Sequence, residues 1–189
     1  MKISYAQAIN KALNEEMTRN KKLVCFGLGA NDSLKFFGTT KGLKEKFGEQ
    51  RVFETPTSEN AMTGIGIGMS IYKNPCVMMH QRLDFFLLAM DQLVNSAAKW
   101  HYMFGGLKSV PITIRLVVGK GWGQGPTHSQ SLQSWFAHIP GLKVVMPSLP
   151  SDAYNLLKAS IRDPNPVIFI EHRWLHGVKE QKIIKKSVK

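Results

Sequence analysis

The sequence predicts an α/β fold: a single three-layer domain whose mainly parallel sheet is flanked by helices. Three observations carry this. Apolar periodicity alternates between helical and strand type along the whole length, and the strand-like runs are short and almost wholly apolar. The helical stretches between most of them are long enough to serve as crossovers, the pattern of repeated βαβ units.

Taken in order, residues 4–18 place Tyr5, Ala8, Ile9, Ala12, Leu13 and Met17 at helical spacing, with Ser4 as N-cap. Leu23 to Gly27 reads as a short buried strand followed by a polar loop. Thr40 to Phe47 reads as a short helix closed by Gly48. Arg51 to Glu54 is a brief strand stopped by Pro56. Ser58 to Tyr72 is helical but rich in small residues, with Gly64, Gly66 and Gly68 inside it. Each glycine costs up to about 1 kcal/mol against alanine, which suggests that something approaches this helix closely. Cys76 to Met79 is a strand, and Phe85 to Tyr102 one long amphipathic helix ended by Gly105 and Gly106. Val110 to Val118 is the clearest buried strand. The glycine-rich segment 119–127 then leads into a helix near Ser129 to His138. Lys143 to Met146, Ser151 to Arg162 and Val167 to Glu171 complete the pattern as strand, helix and strand.

At 189 residues the chain fits one large domain able to bury about 70% of its unfolded surface. Hydrophobic residues at 43% and charged residues at 20% exclude wholesale disorder. No apolar run approaches the length of a membrane span, and the first residues lack the pattern of a signal peptide. Cys25 and Cys76 lie inside apolar runs, so both are expected as reduced core residues of a cytoplasmic protein. Twenty-five Lys and Arg against thirteen Asp and Glu give a net charge of +12, of which residues 179–189 supply +4. Outside that basic tail the charge is spread thinly. It favours a solvated basic surface over a specific nucleic-acid site.

In open α/β sheets ligands bind beyond the carboxyl ends of the strands, so polar residues just after strands are the functional candidates. Three stretches qualify. In Glu54-Thr55-Pro56-Thr57-Ser58-Glu59, the last residue opens a helix, where the dipole favours a carboxylate. His80-Gln81-Arg82-Leu83-Asp84-Phe85-Phe86 mixes polar groups with rings on which a planar ligand could stack. Gly119 to Gln130 carries four glycines at alternate positions and ends near His128, a place suited to an acid–base histidine. The glycine spacing fits neither a Walker loop nor a dinucleotide fingerprint, and no Gly-x-Ser-x-Gly elbow is present. His172 and His176 beside Glu171 lack an evident third ligand for a metal.

Thr55-Pro56-Thr57-Ser58-Glu59, Asp91 to Lys99, Tyr102 to Gly106, His128-Ser129-Gln130, Pro140 to Val145 and Ile161 to Val167 occur in the order of one known family. Through these blocks the chain, from about residue 4 to about 177, resembles the beta subunit of the thiamine-diphosphate-dependent decarboxylating component of 2-oxoacid dehydrogenases. That subunit is a transketolase-like protein. The resemblance implies a pyrimidine-binding domain over 1–178, a basic tail over 179–189, and absence of the family's usual second domain. It implies that Glu59 hydrogen-bonds the aminopyrimidine ring of the cofactor and is catalytic. Phe85 stacks on that ring, with Gln81 also at the cofactor. His128 faces the substrate side and moves protons or stabilises charge during acyl transfer. A potassium site in some members maps onto Ile112, Ser160, Asp163 and Asn165.

The family's Gly-Asp-Gly motif for magnesium and the diphosphate is missing, so the resemblance implies an alpha-type partner subunit that holds them. The assembly would be a homodimer or an α2β2 tetramer, passing its acyl group to a lipoyl acyltransferase, with no membrane and no specific nucleic acid. Gln81 and Leu88 depart from the pyruvate-type pattern, and Arg82 could pair with a substrate carboxylate or phosphate, so pyruvate is not implied. A carboligase half-subunit and a non-catalytic assembly module are the alternative expectations.

Overall fold

A computed structural model describes residues 2–31, 37–181 and 183. Residues 32–36 of the expected polar loop, and 182 and 184–189 of the expected tail, lie outside the described residues. The chain runs β1 (Ile3–Ser4), α1 (Tyr5–Arg19), β2 (Val24–Gly27), α2 (Leu43–Phe47), β3 (Val52–Glu54), α3 (Glu59–Ile71) and β4 (Cys76–His80). It continues with α4 (Leu83–Phe86), α5 (Ala98–Met103), β5 (Ile112–Val118), α6 (Gln133–Ala137), β6 (Lys143–Val145), α7 (Pro150–Arg162), β7 (Val167–His172) and β8 (Lys179–Glu180).

Six strands form one parallel sheet in the order β3-β2-β4-β5-β7-β6. Alternate residues serve opposite faces, as the strand period requires. Cys25, Val77, Met79 and Phe169 pack under α1 and α7 with Ile9, Leu13 and Leu157. Phe26, Met78, Ile114, Leu116, Ile168 and Ile170 pack under α3, α4 and α6 with Met62, Ile67, Phe86 and Phe136. The result is helix, sheet, helix. Both cysteines are free and buried.

α1 begins where the sequence places it. Ser4 Oγ accepts from the Gln7 amide and the Gln7 side chain accepts from the Ser4 amide, a complete capping box. α2 starts later than expected. Thr40 donates to the Gly29 carbonyl, and Asn10 donates to the carbonyls of Thr39 and Lys41, so that stretch is tied down as loop.

The expected single helix over 85–102 is broken. After α4 come a 3-10 turn at Leu87–Ala89 and a π-helical stretch at Gln92–Ala97 before α5. The buried residues Ala89, Leu93 and Ala97 are spaced by four, and a wider turn keeps them on one face. The expected helix near 129–138 shrinks to α6, because Asp84 Oδ1 accepts from both the amide and the side chain of Gln130. The β1–β8 ladder was not foreseen; it pairs Lys179 and Glu180, the first residues of the expected tail, with Ser4 and Ile3. No helix among the described residues is long and apolar enough to cross a membrane.

The chain leaves β2 to form β3 on one side and returns to form β4 on the other, which makes the β2–β4 junction a switch point. The backbones meet closely there. A Cβ at Gly27, whose φ is +118°, would lie 2.4 Å from the Met79 carbonyl oxygen, and the Leu28 amide donates to that same oxygen at 2.9 Å.

Candidate functional site

A cavity of about 360 Å³ opens beyond the carboxyl ends of β2 and β4, at the switch point, within the range of small-molecule sites. Leu28 and Phe37, on either side of the residues that are not described, line one wall of it. Glu54, at the end of β3, accepts from the amides of Gly29 at 2.9 Å and Asn31 at 3.0 Å and pins the loop after β2.

Five residues singled out in the sequence, Glu59, Gln81, Arg82, Phe85 and His128, all line this cavity. Glu59 is the first residue of α3 and is buried, so the positive end of the helix faces its carboxylate. That carboxylate has no hydrogen bond or ion pair among the described residues. Phe85 sits in α4 and is 40% exposed. Its ring meets the His128 imidazole edge-on, centroids 5.0 Å apart. His128 closes the 3-10 turn Pro126–His128, with Nδ1 3.2 Å from Thr127 Oγ1. A Cβ at Gly29 would meet the Gln81 side chain at 3.5 Å, so Gln81 packs beside the loop after β2.

Arg82 is buried at the cavity wall. It donates to Gln124 Oε1 at 2.8 Å and to the Gly119 carbonyl at 3.4 Å. Its guanidinium carbon stacks 3.3 Å from the centre of the Trp122 ring.

Of the remaining lining residues, none of which was given a role of its own in the sequence, two stand out. His80 ends β4 fully buried, edge-on to Phe86 at 4.9 Å, and neither ring nitrogen has a partner. Burial pushes its pKa down to about 4, so the ring is neutral at pH 7. Trp122 is the other. Its one sequence signal is a large aromatic amid alternate glycines, and its neighbour Gly121 leaves room for Trp174.

The close approach expected of the glycine-rich helix α3 is found at Gly66. A Cβ at Gly66 would meet Ile112 Cδ1 at 2.9 Å and Phe26 Cζ at 3.0 Å, so the sheet, not a ligand, approaches the helix there.

Ile112, Ser160, Asp163 and Asn165 are not part of the cavity. They cluster at the amino ends of β5 and β7, the opposite end of the sheet. The Asp163 carboxylate holds the Lys143 ammonium and accepts from the Asn165 amide. Ser160 Oγ donates to the Leu156 carbonyl. Glu171 is likewise structural. Burial alone would raise its pKa, but Arg115 and His176 outweigh that and keep it ionised. Among the described residues no three His, Cys, Asp or Glu side chains are grouped to hold a metal.

The transketolase pyrimidine-binding domain model matches residues 1–177. The chain is 42% identical over 170 residues to the mitochondrial pyruvate dehydrogenase E1 component subunit beta of Pisum sativum, covering 90% of the chain and 47% of that protein. It is 43% identical over 171 residues to the 2-oxoisovalerate dehydrogenase subunit beta of Bacillus subtilis, covering 90% and 52%. The chain thus spans about half the length of these relatives. Among solved structures it is similar to an inactive β4 tetramer of a split-gene transketolase, with a TM-score of 0.74 and 20% identity over 98% of this chain and 56% of that one.

Proposed function

We propose, because the chain belongs to the transketolase pyrimidine-binding domain family, that it is the β-type half of a thiamine-diphosphate-dependent 2-oxoacid dehydrogenase. The observation that carries this reading is the meeting of Glu59, Phe85 and His128 in one cavity at the switch point. The cavity suits an aminopyrimidine: it offers the carboxylate of a buried residue that makes no ion pair, Glu59, beside the partly exposed Phe85.

Thiamine diphosphate, when bound, supplies the carbon nucleophile and electron sink for attack on a 2-oxoacid carbonyl. The chain's own residues then have distinct tasks. Glu59 holds a proton against the pyrimidine ring in a site that limits solvent competition. Phe85 presents a flat apolar surface and, through its edge contact, fixes the His128 imidazole. His128 gives or takes a proton on the substrate side. Gln81, which lines the same cavity, would hydrogen-bond the pyrimidine.

Magnesium and the diphosphate are assigned to an alpha-type partner, in an α2β2 assembly that passes the acyl group to a lipoyl acyltransferase. Potassium is left out of the reading, since the Lys143 ammonium already neutralises Asp163.

The test is Glu59→Gln in the reconstituted α/β enzyme. Turnover should fall by at least ~10²-fold, the low end for an acid–base group, with subunit assembly unchanged. Activity within a few-fold of wild type removes Glu59 from the mechanism.

A further inference from the structure

Trp122 sits between two guanidiniums. Arg82 lies 3.3 Å and Arg173 3.0 Å from the ring centre; two groups that close cannot share a face, so they cover opposite faces, roughly 6 Å apart. No carboxylate lies within ion-pair distance of either guanidinium among the described residues. Asp84, which acts on Arg82 electrostatically, spends Oδ1 on Gln130. Of the five N–H groups of Arg82, two meet neutral acceptors, the Gln124 side chain and the Gly119 carbonyl. The Trp122 indole N–H is buried and has no acceptor. Only Arg82 and Trp122 of this stack line the cavity; Arg173 backs the ring from outside. Burial and the charge of Arg173 both disfavour the charged form of Arg82.

Like charges held on two faces of one ring, with spare donors on Arg82 and no carboxylate in direct contact, are left short of negative charge. The ring attracts each cation, but their mutual repulsion persists until an anion arrives. We propose that Arg82, backed by Trp122 and Arg173, is an oxyanion subsite on the wall of the cavity. It binds a phosphate or carboxylate carried by the substrate at the end away from its reacting carbonyl. The link to a substrate rests on the cofactor reading above; the anion site itself does not. Glu59, the carboxylate lining the same cavity, lies at the first residue of α3 and makes no ion pair with Arg82. The fork of Arg82 suits a planar or tetrahedral oxyanion better than a lysine would, because its donors are fixed in one plane.

The experiment titrates inorganic phosphate, and separately acetate, into the chain by calorimetry, with chloride at equal ionic strength as control. Neither cofactor nor partner subunit is present, so the outcome is independent of whether Glu59 acts as proposed. Wild-type protein should bind phosphate saturably and should not respond to chloride. Arg82→Gln should weaken that binding by about tenfold or more, the loss of one charge-assisted anchor, and Arg173→Gln should weaken it too. If Arg82→Gln does not fold, Arg82→Lys replaces it; losing the stacked fork should still weaken phosphate binding. Phosphate tighter than acetate assigns the subsite to a phosphorylated substrate, and equal affinities assign it to carboxylates as well. No saturable binding by wild type, or equal phosphate affinity in all the proteins, overturns the proposal.

Discussion

Glu59 and Phe85 were legible as sequence because each lies just after a strand, where functional groups of α/β folds gather. His80 was named only as the head of such a stretch, with no role of its own. Its meaning lies in two nitrogens that no neighbour satisfies, a property of packing alone. The same holds for the pair Arg115–Glu171, fully buried and joined by a hydrogen bond of 2.6 Å from Arg115 Nε. Strand alternation places both on the face under α1, but nothing in the sequence pairs them. Removing Arg115 leaves the buried Glu171 carboxylate with His176 alone. Arg115→Met should cost about 3–5 kcal/mol by urea denaturation, whereas Arg115→Met with Glu171→Leu should recover most of it. A double variant as unstable as the single would show that packing, not charge, is at stake.

At the scale of elements, α1, α3, α7 and the six strands of the sheet were readable from period and apolar content. The failures share one cause: tertiary contacts overrode local preference. Asp84 captures Gln130 and holds residues 129–132 out of helix. The loop at Gly141 presses on the Ala98 carbonyl so closely that a Cβ there would lie 2.0 Å from it.

The packing of α1 against α7 carries a testable charge seam. Burial would raise the Glu15 carboxyl, but hydrogen bonds from Lys158 and Tyr154 outweigh it and hold the pKa at about 2. Glu16 is likewise held below the ordinary value of 4.5, with Arg162 and Arg19 outweighing its burial. A carboxyl whose folded pKa is depressed stabilises above its unfolded value and loses that contribution as pH falls. Urea midpoints should therefore drop between pH 4.5 and about 2, and Glu16→Gln should flatten part of that drop. An identical acid slope in the variant would contradict the seam.

For the whole molecule, the decisive feature is the reversal of strand order between β2 and β4, which opens the cavity where Glu59, Phe85 and His128 meet. Sequence blocks located Glu59 and His128, and the stretch after β4 located Phe85. Only the fold gathers them, and it also sets the four candidates for potassium at the far end of the sheet. The central claim is that this cavity is half of a cofactor site, completed by an alpha-type subunit. Calorimetric titration of thiamine diphosphate with magnesium, into the chain alone and into its mixture with such a subunit, tests it most directly. The account predicts no binding by the chain alone and micromolar or tighter binding by the mixture. Equal binding by the lone chain, or none in either, would contradict it.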